Sequence, residues 1–154
     1  MAFHLRAATP DDFAFAFAAK RDAMGPHIQA HWGWDDNLQL RLHRERWEKK
    51  AWHVILAGNE AVGTVSMDFF PTHLQFGEFY IVGPHRRHGL GTQVLLHALG
   101  LADENGVESR VECLKWNPAI SLYARNGFLV VGENDIHRFL VRPVHTPDDA
   151  SRAS

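Results

Sequence analysis

The chain has 154 residues, a net charge of −2 at neutral pH and 45% apolar residues. This length corresponds to one domain with a core of its own, and the composition argues against a disordered chain. The charge balance lacks the basic signature of a nucleic-acid-binding protein, and no apolar run is long enough to span a membrane. We therefore expect neither nucleic acid nor membrane among its partners.

The N-terminal region does not resemble a secretory signal. The apolar stretch Phe13–Ala19 follows two acids rather than a basic segment, so we expect a cytoplasmic protein. The single cysteine, Cys113, excludes an intramolecular disulfide and argues against a cysteine-based zinc site. The 11 histidines are scattered, without an HExxH pattern, and we expect no metal site.

The first elements are a short strand and two helices. Residues 3–9 read as a strand, and Thr9-Pro10-Asp11-Asp12 carries the cap, proline and acids of a helix start. The phenylalanines that follow alternate as in a strand, but the capping signals and length favour a helix that ends near Met24-Gly25-Pro26. A turn-rich connection over 26–37 and a second helix over 38–50 come next. We interpret the basic residues of that second helix as a solvated face.

The rest of the chain predicts strands around one long helix. The predicted elements are strands 52–57, 61–70 and 74–82, helix Leu90–Asn105, strand 109–116, a short helix 118–126, and strands 128–133 and 136–142. Gly58-Asn59 marks a hairpin turn, and Gly106 is a helix C-cap. These elements predict a mixed α/β (α+β) single domain over 1–144 and a frayed polar tail over 145–154.

Phe79 to Thr92 (FYIVGPHRRHGLGT) is the most informative segment. In it an apolar strand runs into a glycine-containing loop, and a helix begins directly after the loop. Gly89 and Gly91 allow a ligand to approach the backbone, while the first N–H groups and the dipole of the helix attract anions. Arg86-Arg87-His88 adds positive charge. The segment predicts a phosphate cradle, and it matches neither the Walker loop nor the complete dinucleotide fingerprint.

Asn117 to Phe128 (NPAISLYARNGF) is the second informative segment. Pro118 opens a short helix, and Asn126-Gly127 ends it before a strand. The chain has two tyrosines against ten phenylalanines, so a tyrosine at position 123 indicates that its hydroxyl is needed.

The two segments together resemble the GNAT superfamily of N-acetyltransferases. RRHGLG after an apolar strand resembles the R/Q-x-x-G-x-G/A acetyl-CoA motif, and NPAISLYARNGF resembles the later Asn, Tyr and Gly-Phe signature. The resemblance covers roughly residues 3 to 142. WGWDD, LKWNPA and GENDIH further resemble a bacterial subgroup of short chains. The resemblance implies a central mixed, mostly antiparallel sheet with helices on both faces.

The resemblance also implies acetyl-CoA as the cofactor. Its pyrophosphate is expected on the loop N–H groups and its pantetheine arm along the backbone of the preceding strand, where an N–H would stabilise the oxyanion. The implied cofactor-binding residues are Ile81, Val82, Arg86, Arg87, His88, Gly89, Leu90, Gly91, Thr92 and Asn117. The family tyrosine that matches Tyr123 commonly protonates the leaving thiolate. Because the family usually transfers the acetyl group directly, Cys113 is not expected to form an acetyl-enzyme.

Several groups remain candidates for the base that takes a proton from the acceptor amine. Glu78 lies four residues before Val82, so regular strand alternation places both on one face. Glutamates at comparable positions serve as bases in several family members. Glu112, His137 and water are the alternatives, and an ion-paired strand residue is the other interpretation of Glu78.

The acceptor side is expected around the connection between the first two helices, which usually borders the acceptor site in this family. Trp32, Trp34, Asp35 and Asp36 lie there, and aromatic faces with carboxylates suit a cationic amine. The other interpretation is that they are core anchors and helix caps. His137 completes the expected substrate-binding set.

The leading hypothesis is an acetyl-CoA-dependent N-acetyltransferase that acts on the amine of a small molecule or a protein. The alternative is a non-catalytic acyl-CoA-binding or sensor domain of the same fold, and a histidine-dependent metal protein is third. A homodimer is expected because dimers are common in the family.

Overall fold

The computed structural model describes residues 2–86 and 88–146. In these residues it has seven strands: β1 (His4–Ala7), β2 (Trp52–Ala57), β3 (Glu60–Phe69), β4 (His73–Ile81), β5 (Glu108–Leu114), β6 (Leu129–Glu133) and β7 (His137–Arg142). It has four α-helices: α1 (Phe13–Trp32), α2 (Asp36–Lys49), α3 (Leu90–Glu104) and α4 (Ala119–Arg125). None of these helices is both long and apolar enough to cross a bilayer. The predicted tail over 145–154 lies outside the described residues from position 147 onward.

The strands form one sheet in the order β1-β2-β3-β4-β5-β7-β6. The pairs β1–β2, β2–β3, β5–β7 and β6–β7 are antiparallel, and β4–β5 is parallel. A parallel pair needs a long crossover connection, and the segment that contains α3 supplies it. The predicted mixed α/β fold with a mostly antiparallel sheet is confirmed.

The chain divides into two compact units. The first comprises residues up to Met67 together with Glu78–Gly91, and the second comprises Asp68–Gly77 together with residues from Thr92 onward. The strand β4 therefore contributes its second half to the first unit and its first half to the second unit. A single domain over 1–144 stays a prediction.

Each unit has its own buried apolar residues. In the first unit they come from α1, β2 and β3 and include Ala16, Ala19, Met24, Ile28, Val54, Ile55, Val62 and Val65. In the second unit they come from β4, α3, β5, α4 and β7 and include Leu74, Phe76, Val94, Leu95, Leu99, Val111, Tyr123 and Leu140. Burial of this apolar surface is the main favourable term in holding each unit together.

The helix α1 continues through Pro26, so the predicted end at Met24-Gly25-Pro26 and the turn-rich connection over 26–37 are wrong. The residue before a proline normally avoids the helical conformation because its Cβ and N–H crowd the proline ring. Gly25 has no Cβ, which removes part of that clash. Met24 and Ile28 lie one turn apart and are both buried. Apolar burial on either side of Pro26 thus outweighs the missing backbone hydrogen bond.

Asp12 connects the end of β1 to the start of α1. Arg6 donates to its two carboxylate oxygens at 2.7 and 2.9 Å, and the Thr9 N–H donates to it at 2.8 Å. These bonds, that of Arg6 above all, lower the pKa of Asp12 to about 2. The carboxylate therefore acts as a charged cap on the short 3-10 turn that precedes α1.

We expect Asp12→Asn to lower the free energy of unfolding at pH 7 by about 1 kcal/mol, because an amide replaces a charged cap. The folded-state pKa is depressed, so this stabilisation is present above the ordinary pKa of an aspartate and is lost as the pH falls towards 2. Urea unfolding of both proteins between pH 3 and pH 7 measures the difference, with the exposed Asp11→Asn as the control. A loss that did not shrink with falling pH would contradict the ion-pair account.

Candidate active site

The loop after β4 is anchored by one carboxylate of α1. The Gly83 N–H and Arg86 Nη1 both donate to Asp22 Oδ2, at 2.9 and 2.8 Å. Arg86 Nη1 also donates to the carbonyl of Ile81 at 2.9 Å. The Arg86 guanidinium, predicted to meet the cofactor, therefore already braces the loop against α1 and the end of β4.

Gly89 is the residue of this loop whose conformation requires glycine. Its φ is +80°, in the left-handed region, and a Cβ built on it would meet no atom of the described residues within 4 Å. The helix α3 begins at the next residue, the fully buried Leu90. The first N–H groups of a helix have no partner inside it, and the helix dipole is positive there. This open space, beside N–H groups that the helix itself does not pair, fits the predicted phosphate cradle. Arg87 lies outside the described residues.

Ile81 and Val82, both predicted to contact the cofactor, direct their backbone N–H groups to different sides. The Val82 N–H donates to the Val62 carbonyl at 2.9 Å, and the Val82 carbonyl accepts from the His85 N–H at 2.9 Å. Adjacent residues of a strand direct their backbone groups to opposite sides. The Ile81 N–H is therefore directed away from β3, and Ile81 is the better placed of the two to pair with an extended ligand.

Glu78 has an unusual backbone conformation. Its φ is +43°, and it is the sole non-glycine residue in the left-handed region within the described ranges. The Thr64 hydroxyl donates to its carbonyl at 2.9 Å and helps to hold this conformation, which costs roughly 1–2 kcal/mol. A left-handed residue interrupts the regular alternation of a strand. The prediction that Glu78 and Val82 share a face rests on regular alternation, and it stays a prediction.

The Glu78 carboxylate is buried among cations. Lys50 Nζ lies 2.9 Å from Oε1, and Arg46 Nε lies 3.7 Å from the same oxygen. The Tyr80 hydroxyl donates to Oε2 at 3.3 Å. Burial acts to raise the pKa of Glu78, but Lys50, Lys20 and Arg46 together outweigh it, so the pKa is lowered. The carboxylate is ionised at neutral pH and is a weaker base than an ordinary glutamate.

Two basic residues of the second helical segment do not lie on a solvated face, contrary to the prediction. Arg46 and Lys50 are one turn apart, and both face Glu78. Lys20 of α1, which is 4% exposed, adds a third cation. We call Lys20, Arg46 and Lys50 the cationic cluster. The signals in the sequence are the i, i+4 spacing on α2 and a lysine that directly follows an apolar helical stretch.

His43 lies beside the cationic cluster and is neutral. Its Nε2 is 3.1 Å from the Phe13 carbonyl, and its Nδ1 has no hydrogen-bond partner among the described residues. The rings of Phe13, Phe17, Trp47 and Trp52 surround the imidazole at centroid distances of 4.5 to 5.7 Å. Burial lowers the pKa of His43, so it adds no charge to the cluster at neutral pH.

The predicted catalytic tyrosine and its segment lie in the second unit. Asn117 Oδ1 accepts from the Ala119 N–H at 2.8 Å, so the side chain predicted to contact the cofactor caps the start of α4. Tyr123 of α4 is almost fully buried. Its ring packs edge-on against Phe76 at 6.1 Å and against Phe128 at 5.4 Å. This packing fixes the position of the phenol, and its catalytic role stays a prediction.

The remaining candidate catalytic side chains lie in the second unit, and their surroundings do little to activate them as a base or a nucleophile. His137 Nδ1 lies 3.8 Å from Glu112 Oε1, and the Glu112 side chain is half exposed. Burial raises the pKa of the Cys113 thiol to about 11, so it stays protonated at neutral pH and is a poor nucleophile. In residues 2–86 and 88–146, no three His, Cys, Asp or Glu side chains converge as a metal site would need.

The predicted acceptor residues lie around the end of α1 and the start of α2. Asp35 Oδ1 accepts from the Leu38 N–H at 3.1 Å as the N-cap of α2. Trp34 donates from its indole N–H to Asp36, and its ring lies 6.1 Å from that of Phe17. Trp32 ends α1 and is half exposed. Capping and packing account for much of this group, and their contact with a substrate stays a prediction.

Several solved structures share the fold of this chain. No curated protein matches the sequence. PaiA N-acetyltransferase from Thermoplasma acidophilum, solved in complex with coenzyme A, is 15% identical, with a TM-score of 0.74 over 93% of this chain and 99% of that chain. The ribosomal-protein-S18-alanine N-acetyltransferase from Escherichia coli is 15% identical, with a TM-score of 0.68 over 94% of this chain and 96% of that chain. Ard1 from Thermoplasma volcanium is 22% identical, with a TM-score of 0.66 over 95% and 100%.

These identities establish a shared fold and no more. The sequence profile of the acetyltransferase (GNAT) family adds independent evidence, since it matches residues 15–128. This span contains the loop after β4, the cationic cluster and the Asn117–Phe128 segment. The chain belongs to the GNAT acetyltransferase family.

Proposed function

We propose that the chain is an acetyl-CoA-dependent N-acetyltransferase that transfers the acetyl group directly to a primary amine of a small molecule or a protein. The observation that carries this is Gly89, left-handed and open on its Cβ side, at the start of α3 in a GNAT chain. PaiA, crystallised with coenzyme A, supports the choice of cofactor. The high pKa of Cys113 supports direct transfer over an acetyl-enzyme.

Acetyl-CoA, when bound, supplies an acetyl group activated as a thioester. The backbone N–H groups from His88 to Thr92 would hold its pyrophosphate. The Ile81 N–H, directed away from β3, would hold the extended arm or the developing negative charge on the acetyl oxygen. Arg86 would keep the loop in place through Asp22, and Arg87 and Asn117 complete the proposed set.

The acceptor amine must lose a proton before it can attack, because an ammonium has no lone pair. Glu78, or a water that it orders, would accept this proton. The carboxylate is ionised, but its ion pair with Lys50 makes it a weak base, so the step through an ordered water is favoured. Glu112 and His137 remain the alternatives in the second unit.

The departing sulfur would receive a proton from Tyr123. A phenol is protonated at neutral pH and can donate to a thiolate within hydrogen-bond reach. The tight packing of the Tyr123 ring against Phe76 and Phe128 supports a fixed donor.

A non-catalytic acyl-CoA-binding domain is the second candidate. The observation in its favour is that the candidate base, Glu78, is committed to Lys50, Arg46 and Tyr80. Release of free thiol from acetyl-CoA in the presence of a panel of amines separates the two functions. The bacterial subgroup indicated by WGWDD and GENDIH, and a homodimer, stay predictions.

Gly89→Glu should abolish the binding of CoA, because a charged side chain in the cradle would occupy the phosphate position and repel it. Isothermal titration with CoA measures this. Gly58→Glu is the matched control, since Gly58 also has a positive φ, +62°, and open space at its Cβ. Both variants carry the same backbone strain. Unchanged CoA affinity in a folded Gly89→Glu protein would contradict the cradle.

Glu78→Gln should reduce kcat/KM for the acceptor and remove the acidic limb of its pH profile. Because the pKa of Glu78 is lowered, that limb should lie below the ordinary pKa range of a glutamate. Steady-state rates from pH 9 down to the lowest pH at which both proteins stay folded measure it, with CoA affinity as the control for folding. If the variant keeps the wild-type rate and limb, Glu78 is not the base, and Glu112→Gln is the next variant to test.

Tyr123→Phe should lower kcat by about 10²–10⁴-fold when the chemical step limits the rate, the usual contribution of a general acid. The KM for acetyl-CoA should change much less, because the bond to sulfur strengthens as charge develops there. Pre-steady-state thiol release excludes limitation by product release, and the melting temperature checks that the packing survives. A wild-type rate for the chemical step would assign the proton to water.

A further inference from the structure

The cationic cluster contains more positive charge than the protein neutralises. Lys20, Arg46 and Lys50 carry three positive charges, and within residues 2–86 and 88–146 Glu78 carries the one negative charge close to them. The neutral His43 adds none. A net charge of about +2 around a side chain as buried as Glu78 is costly unless an anion accompanies it.

The other acids on the same elements are engaged elsewhere or exposed. Asp22 of α1 accepts from Gly83 and Arg86. On α2, Asp36 accepts from Trp34, and Glu45 and Glu48 are exposed.

Lys20 lacks a partner in the part of the chain that the structure describes. Its side chain is 4% exposed, and no hydrogen bond or ion pair to its ammonium is formed by residues 2–86 or 88–146. Both oxygens of Glu78 already accept from other groups, Oε1 from Lys50 and Oε2 from Tyr80. Burial and Arg46 lower the pKa of Lys20 to about 8, and Glu78 is the one neighbour that opposes them. A nearly buried cation without a partner indicates a missing anion.

We propose that the cationic cluster binds a carboxylate of the acceptor, so that the substrates are small amines that also carry a carboxylate. This inference rests on the proposed function for the amine, but the anion site itself does not require catalysis. Lys20 of α1 would donate to the carboxylate, and Arg46 and Lys50 would provide further charge-assisted hydrogen bonds. A bound monoanion would reduce the net charge of the cluster from about +2 to about +1.

The position of the cluster beside Glu78 of β4 fits a substrate of amino-acid size. Glu78 and Ile81 are three residues apart, so at most about 10 Å of strand separates the cluster from the Ile81 backbone. A molecule whose amine and carboxylate are a few bonds apart can span that distance. A second cationic group on the acceptor, as in a polyamine, would be repelled by the cluster.

The first test measures anion binding without any turnover. Sodium succinate, a carboxylate without an amine, should raise the melting temperature of the wild-type protein in a saturable way when sodium chloride keeps the ionic strength constant. The rise should persist in Lys49→Met, which removes an exposed cation of α2, and should disappear in Lys20→Met. No rise in the wild type, or an equal rise in Lys20→Met, would overturn the proposal.

The same variants distinguish a binding role of Lys20 from a structural one. Without succinate, Lys20→Met should melt no lower than the wild type, because a nearly buried side chain whose ammonium has no partner among the described residues is replaced by an apolar side chain of similar length. A marked fall in its melting temperature, or failure to fold, would show that Lys20 has a structural partner and would overturn the proposal.

The second test compares acceptors that differ in the carboxylate alone, such as 4-aminobutyrate with butylamine and β-alanine with ethylamine. The carboxylated amines should have the higher kcat/KM, and Lys20→Met should lower it by roughly 10–100-fold, mainly through KM. CoA affinity should be unchanged in the variant, and kcat/KM for butylamine should fall by less than kcat/KM for 4-aminobutyrate. Equal or better turnover of the plain amines by the wild type would overturn the proposal. Binding of succinate and CoA without thiol release would support the anion site and refute the transferase activity instead.

Discussion

The first unit depends on the contacts of one buried group, the carboxylate of Glu78. It joins three elements, since its side chain accepts from Lys50 at the end of α2 and from Tyr80 of β4, while its carbonyl accepts from Thr64 of β3. Removing one partner from a buried ion pair typically costs 3–5 kcal/mol, because the other charge is left unpaired. Here the loss of the carboxylate would leave three cations without a counter-charge. The position of α2 against β4 is therefore controlled by electrostatics as well as by apolar packing.

The strained backbone of Glu78 lies beside the proposed acceptor site. A non-glycine residue in the left-handed region persists only when its surroundings fix it, and such residues concentrate at functional sites. The hydrogen bond from Thr64 and the ion pair with Lys50 supply that fixation. The left-handed residue lies three positions before Ile81, whose N–H is the group proposed to meet the cofactor. The same residue thus has a strained backbone within β4 and a side chain that pairs with the charges of the proposed acceptor site.

Strong local patterns predicted most of the fold. The strand β2 has the predicted bounds, and the other strands agree within one or two residues, because apolar alternation and the turn at Gly58-Asn59 leave few alternatives. The end of α1 was not predictable from local rules. Gly25 and Pro26 are both helix-breaking residues in isolation, and the burial of Met24 and Ile28 that overrides them depends on residues far away in the chain.

The candidate site also has one part that local sequence patterns predict and another that depends on long-range packing. The loop from Gly83 to Leu90 could be recognised because its glycine and its helix start act locally. The cationic cluster could be recognised only in part. The i, i+4 spacing of Arg46 and Lys50 is a local signal, but Lys20 and Glu78 are 58 positions apart in the sequence, and their meeting depends on the packing of α1 against its neighbours. Long-range charge pairs carry no local signature. The left-handed backbone of Glu78 is similar, since a hydrogen bond from Thr64 of another strand supports it.

The environment of Cys113 has a practical chemical consequence. With a pKa of about 11, the thiol is ionised in roughly one molecule in 10⁴ at pH 7, and the thiolate is the form that reacts with peroxides and alkylating reagents. Because Cys113 is the sole cysteine of the chain, the native protein should be nearly unreactive towards thiol-directed reagents. A cysteine introduced at an exposed position, for example at Asp11 or Lys49, could therefore be labelled selectively with a fluorophore or a spin probe without first replacing the natural one.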